Sequence, residues 1–131
     1  MTNILIAEDD NSLRMLYEKA LTHNGYHVIH PSAKNGKEAI SIFKNSDKKP
    51  DIIIMDHRMP LKSGLEATKE ILKMNRDTKI IFASADRSVR EKALELGVLS
   101  FKDKPFTLQR LLENIKKALG NNESEKQGIY Q

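Results

Sequence analysis

The chain has 131 residues, 39% apolar and 31% charged, with a formal net charge of +4. That size and balance describe one ordinary globular domain, long enough to bury a core without staples. The absence of cysteine excludes disulfides, thiolate catalysis and cysteine-based zinc sites, and no apolar stretch approaches the ~20 residues of a membrane span. The lysines are interspersed with glutamates, which reads as solvated helix faces. No basic-aromatic alternation of the kind that stacks bases is present, so neither direct nucleic-acid binding nor a membrane is expected. Met1-Thr2-Asn3 leads straight into a strand-like run without a signal peptide, and a cytoplasmic location is expected.

Strand-like and helix-like segments alternate along the chain. Asn3–Ala7 is the first strand candidate, followed by a helix with Leu13, Leu16, Tyr17, Ala20 and Leu21 on one face. Asp10 or Asn11 is placed to cap it, and Asn24-Gly25 to end it. The second strand is expected over His27–His30. The second helix covers Gly36–Lys44, with Ala39, Ile40 and Phe43 inward. Ile52–Met55 is the third strand. A third helix opens at Ser63 with Glu66 in capping-box spacing. Lys79–Ala83 is the fourth strand, and Ser88 with Glu91 repeats the capping pattern for a helix that stops at Gly97. Val98–Phe101 is the fifth strand. The last helix carries Leu108, Leu111, Leu112, Ile115 and Leu119 and is expected to end at Gly120. One domain over 1–120 and an unstructured polar tail over 121–131 follow.

Continuous apolar strands alternating with helices imply an α/β parallel sheet covered on both faces. Right-handed crossovers leave few topologies, and a doubly wound five-stranded sheet of order 2-1-3-4-5 is expected. In such a sheet the carboxyl ends of the strands share one cleft. The first strand runs into Glu8-Asp9-Asp10, the third into Asp56, the fourth into Ser84, and Lys104-Pro105 follow the fifth. Three carboxylates, a hydroxyl and a lysine suit a divalent cation and a phosphoryl group. Singly, these residues read as helix caps, a turn serine and a surface lysine. The four histidines lack ligand spacing, so His57 is not expected to act.

Ile6-Ala7-Glu8-Asp9-Asp10, Asp56 through Pro60, Ser63-Gly64-Leu65-Glu66, Phe82-Ala83-Ser84-Ala85-Asp86 and Lys104-Pro105-Phe106 occur in order over residues 3 to about 120. With these pieces the chain resembles the receiver domain of two-component response regulators, a flavodoxin-like fold with five helices. The resemblance implies that Asp56 is the phosphoacceptor. It implies Mg²⁺ (or Mn²⁺) held by Asp9 and Asp56, by Glu8 through a water and by the backbone carbonyl of Arg58. Lys104 and Ser84 would contact the phosphoryl group, and Lys104-Pro105 is expected to be cis. Ser84 and Phe101 would form the switch, although Phe101 also fits a plain core position. Arg58 and Asp86 flank the site mouth with opposite charge and are expected to modulate water access.

The implied partners are a sensor histidine kinase or histidine phosphotransfer protein, and a downstream protein at the face of the fourth helix, fifth strand and fifth helix. The chain would be a signalling phosphoprotein of a phosphorelay, catalysing only its own phosphorylation and dephosphorylation. Two other readings compete. One is the receiver fragment of a longer DNA-binding response regulator. The other is a small Mg²⁺-dependent phosphohydrolase, which would carry acids two residues apart after the first strand. Here Asp9 and Asp10 are adjacent and position 11 is Asn.

Overall fold

A computed structural model describes the backbone of residues 1–130 and the side chains of residues 1–120. Its elements are β1 (Asn3–Ala7), α1 (Asn11–His23), β2 (His27–Val28), α2 (Gly36–Asn45), β3 (Ile52–Asp56), α3 (Gly64–Met74), β4 (Lys79–Ser84), α4 (Arg90–Leu96), β5 (Ser100–Asp103) and α5 (Leu108–Tyr130). A single 3₁₀ turn, Arg87–Val89, precedes α4. The five strands are parallel in the order β2-β1-β3-β4-β5, as expected.

Strand alternation splits the core into two layers. Leu5, Ile53, Met55, Ile80 and Phe82 point towards Phe43, Ile71 and Ala93 of α2, α3 and α4. Ile4, Ile6, Ile52, Ile54 and Ile81 point towards Tyr17, Leu21, Leu111 and Ile115 of α1 and α5. Every residue of β1 and β3 is buried, which is why both read as unbroken apolar runs.

Four expectations need correction. β2 pairs only over His27–Val28, and the chain then rejoins β1 through an isolated bridge between Ala7 and Ala33. β5 begins at Ser100, not Val98. Gly97 caps α4 in the left-handed region at φ 106, and the Val98 N–H returns to the Ala93 carbonyl, so Val98 belongs to the helix end. On α1, Leu16 is 47% exposed and Arg14 takes the inward place beside Tyr17 and Leu21. Ser88 does not cap α4, since Asp86 caps the 3₁₀ turn and α4 continues from it without a side-chain cap.

The other caps are as read from the sequence. Asp10 accepts from the Leu13 N–H, and Ser63 and Glu66 form a reciprocal capping box. A fifth correction falls at α5, where the helix expected to end at Gly120 continues to Tyr130. The expected unstructured tail over 121–131 falls outside the residues whose side chains are described.

Candidate functional site

Strand ends β1, β3, β4 and β5 build one acidic cleft. Glu8 follows β1 and is 2% exposed, Asp56 ends β3 at 8%, and Asp9 lies open to solvent beside them. Each offers a carboxylate oxygen, and these atoms lie within 4.8 Å of one another. Three hard oxygen donors at that spacing fit Mg²⁺ or a similar small cation and suit no thiophilic metal. Glu8 is held on several sides. Its N–H donates to the Ala33 carbonyl at 3.0 Å, and its Oε2 accepts from the Asp10 N–H at 3.2 Å.

Lys104 reaches this cleft from the end of β5, and its bond to Pro105 is cis. Its Nζ donates to Glu8 Oε1 at 2.6 Å and to Asp56 Oδ1 at 3.2 Å. The lysine therefore sits closer to Glu8 than to the expected phosphoacceptor, a pairing that spans 96 residues of chain. Asp56 Oδ1 also accepts from the His57 N–H at 2.9 Å. Burial raises the Asp56 carboxyl, the Glu8 charge raises it further, and Lys104 pulls it back, leaving it at about 7. Burial lowers the Lys104 ammonium, but Glu8 and Asp56 outweigh that, and its pKa ends above the usual value.

Ser84 closes β4 and is 2% exposed. Its Oγ accepts from the Asp86 N–H at 3.0 Å, and its carbonyl accepts from the Lys104 N–H at 3.0 Å. Phe101 is half-buried and stacks on Phe82 at 5.9 Å. Phe82 in turn lies 5.8 Å from the His57 ring. Arg58 and Asp86 meet across the mouth, with Nη2 to Oδ2 at 3.7 Å. Hydrogen bonds from Ser88 hold the Asp86 carboxyl below the usual range.

The loop after Asp56 is pressed against α3. The Gly64 N–H donates to the His57 carbonyl at 2.8 Å, and a Cβ on Gly64 would lie 1.9 Å from the Asp56 carbonyl oxygen. No side chain fits there. In the same loop Leu61 adopts φ 68 and is 76% exposed.

A profile described as the response regulator receiver domain matches residues 4–116. The chain belongs to the response regulator receiver family. It is 37% identical over 116 residues to the chemotaxis protein CheY of Thermotoga maritima, covering 87% of this chain and 94% of that one. It is 36% identical over 118 residues to CheY of Bacillus subtilis, covering 88% and 96%. A crystal structure of response regulator TrrA from Thermotoga maritima, in complex with Mg(2+)-BeF, superposes with a TM-score of 0.81 at 34% identity, covering 91% of this chain and all of that one. The receiver is thus a two-component signalling domain with a CheY-like fold. Among the described residues no helix is long and apolar enough to cross a membrane.

The structure of this receiver brings Glu8, Asp9, Asp56 and Lys104 together as expected. It adds Arg14, which the sequence reading missed, and brings Tyr17, read there only as part of the apolar face, to the edge of the site. Arg14, 8% exposed, points its guanidinium at the Glu8 carbonyl, with Nη1 to O at 2.9 Å. Tyr17 stacks on Phe106 at 6.2 Å, and burial, then the charges of Glu8, Asp56 and Asp10, raise its hydroxyl pKa. Arg14, Tyr17 and Leu21 form an i, i+3, i+7 stripe, a signal hidden by counting only apolar positions.

Proposed function

We propose that this receiver accepts a phosphoryl group on Asp56 from the phosphohistidine of a sensor histidine kinase or histidine phosphotransfer protein. The observation that carries the reading is the Asp56 carboxylate, 8% exposed, bonded to the Lys104 ammonium and grouped with Glu8 and Asp9. A carboxylate oxygen of Asp56 attacks phosphorus as the P–N bond of phosphohistidine breaks, and the freed imidazole nitrogen takes a proton from solvent. Asp9 and Asp56 would hold Mg²⁺ or Mn²⁺ directly, with Glu8 acting through a water and the Arg58 carbonyl completing the protein ligands. The cation supplies charge neutralisation for the anionic phosphoryl group and favours the ionised form of Asp56.

Lys104 pairs with a phosphoryl oxygen as a point charge. Ser84 Oγ already accepts from the Asp86 N–H, so its own proton is free to be donated to another phosphoryl oxygen. A cavity of about 330 Å³ lined by Leu13, Tyr17, Ala85, Lys104, Pro105 and Phe106 offers the donor protein an apolar foothold beside the lysine. The phosphoryl group biases a two-state equilibrium. Ser84 and Phe101 carry that bias to the face of α4, β5 and α5, where Lys102 and Arg110 line a cavity of about 370 Å³ for a downstream protein. A cytoplasmic setting suits such a relay.

Incubation with acetyl phosphate and Mg²⁺, followed by intact mass, tests the reading. The expected result is a gain of one phosphoryl group that is absent in Asp56→Asn and in excess chelator. A wild-type mass that never shifts, whatever the donor, overturns it.

A further inference from the structure

We propose that Arg14 is a positioning residue for the cation site. Its guanidinium fixes the corner between β1 and α1 so that Glu8 and Asp9 converge on Asp56. The inference rests on reading Glu8, Asp9 and Asp56 as cation ligands.

Arg14 is 8% exposed, a degree of burial that arginine rarely reaches without a carboxylate partner. Among the described residues its guanidinium makes no ion pair, and Glu8 and Asp56 pair with Lys104 instead. It donates instead to two neutral acceptors, the Glu8 carbonyl at 2.9 Å and the Asn11 side-chain oxygen. Burying a charge against neutral acceptors is a poor way to gain stability. What the two bonds do achieve is geometric. Glu8 leaves β1 and Asn11 opens α1, so one rigid fork spans the turn that carries two of the three carboxylates.

The turn needs such a brace. Glu8, Asp9 and Asp10 are consecutive acids. Asp10 is committed to capping α1, and Glu8 is drawn towards Lys104 at 2.6 Å. The Glu8 N–H is held by the Ala33 carbonyl and its carboxylate by the Asp10 N–H, and Arg14 adds the tether on the Glu8 carbonyl, the group that leads directly into the exposed Asp9. The planar guanidinium bonds the two ends of the turn from two separate nitrogens in a fixed fork, whereas a lysine would have to reach both from one nitrogen on a flexible stem. Arg14 touches no proposed ligand atom, so it acts through Glu8 and not on the cation. Groups in that position commonly set metal affinity by 10–100-fold.

An NMR titration with MgCl₂, following backbone amides of ¹⁵N-labelled protein, tests this on the wild type, Asp9→Asn, Arg14→Lys, Arg14→Met and Asn11→Ala. Urea unfolding in EDTA is measured on each. The wild type is expected to saturate and Asp9→Asn to lose binding. A wild type with no saturable response overturns the cation reading itself, and Arg14's part falls with it. Given wild-type binding, Kd is expected to rise about tenfold or more in both Arg14 variants. In Asn11→Ala, which removes one tine of the bridge, it is expected to rise about two- to fivefold. An Arg14→Lys that binds like wild type shows that charge alone suffices and overturns the proposal. Variants with lowered stability but unchanged Kd overturn it in favour of a merely structural arginine. Should Arg14→Met fail to fold, Asn11→Ala decides, and an unchanged Kd there rejects the inference.

Discussion

Asp56 is held in tension between burial and its neighbours. Its folded pKa of about 7 stands above the unfolded value of 3.8. A raised pKa means that its contribution to stability is complete only below about pH 4 and is lost as pH rises through 7. Asp56→Asn removes that titration. In EDTA at pH 8 the variant is expected to exceed wild type by roughly 1–2 kcal/mol, allowing for partial solvent screening, and the gap should close steadily towards pH 4. Urea unfolding at pH 8, 6 and 4 checks this, and a gap independent of pH would refute it. The Arg58–Asp86 pair behaves differently. At 3.7 Å with Arg58 83% exposed, it is screened by solvent and adds little to stability. Arg58→Ala should therefore leave stability nearly unchanged, whereas Asp86→Ala also loses the cap of the 3₁₀ turn and should lower it; both should alter the autodephosphorylation rate. Equal rates in wild type and both variants would remove these residues from the modulation of the site.

Among the elements, the contact between the loop after β3 and the start of α3 is the least forgiving. A Cβ at Gly64 would collide with the Asp56 carbonyl, and one at Gly36 would lie 2.2 Å from the Lys62 carbonyl. Backbone cannot yield as a flexible side chain does. Gly64→Ala is expected to cost about 1–3 kcal/mol by overpacking, with Asp56 phosphorylation slowed as its backbone shifts. Urea midpoints and acetyl phosphate labelling read the two effects, and an unperturbed variant would show that the loop is soft. The sheet was legible because β1 and β3 are buried on both faces and leave no polar interruption. β2 was not legible in extent, because only His27 and Val28 are paired and the apolar run says nothing of the turn at His30-Pro31. Val98 misled because its burial serves a helix cap and not a strand. Of the site, the strand-end acids, Ser84 and Lys104 could be read from position alone. The Glu8–Lys104 pair and the inward Arg14 could not, since both depend on where side chains turn after the backbone is set.

At the scale of the whole molecule, cation binding and folding are linked. A ligand that binds only the folded chain stabilises it by RT ln(1 + [L]/Kd), about 2.7 kcal/mol at a hundredfold excess over Kd. Mg²⁺ at that level is expected to raise the unfolding free energy by this amount at pH 8, and by less at pH 6, where a proton competes for Asp56. EDTA should reverse the gain. An unfolding curve indifferent to Mg²⁺ at pH 8 would count against the cation site.

The salt bridge between Glu8 and Lys104 joins residues 96 apart, near the two ends of the domain. No contiguous stretch of this receiver contains its own chemistry. A chain emerging from the ribosome displays Glu8 and Asp9 first, Asp56 midway and the lysine almost last. Until β5 docks at the sheet edge, the acids stand without their counter-charge. On the proposed phosphotransfer reading, a growing or fragmentary chain is silent to a phosphodonor, and competence arrives only with completed folding.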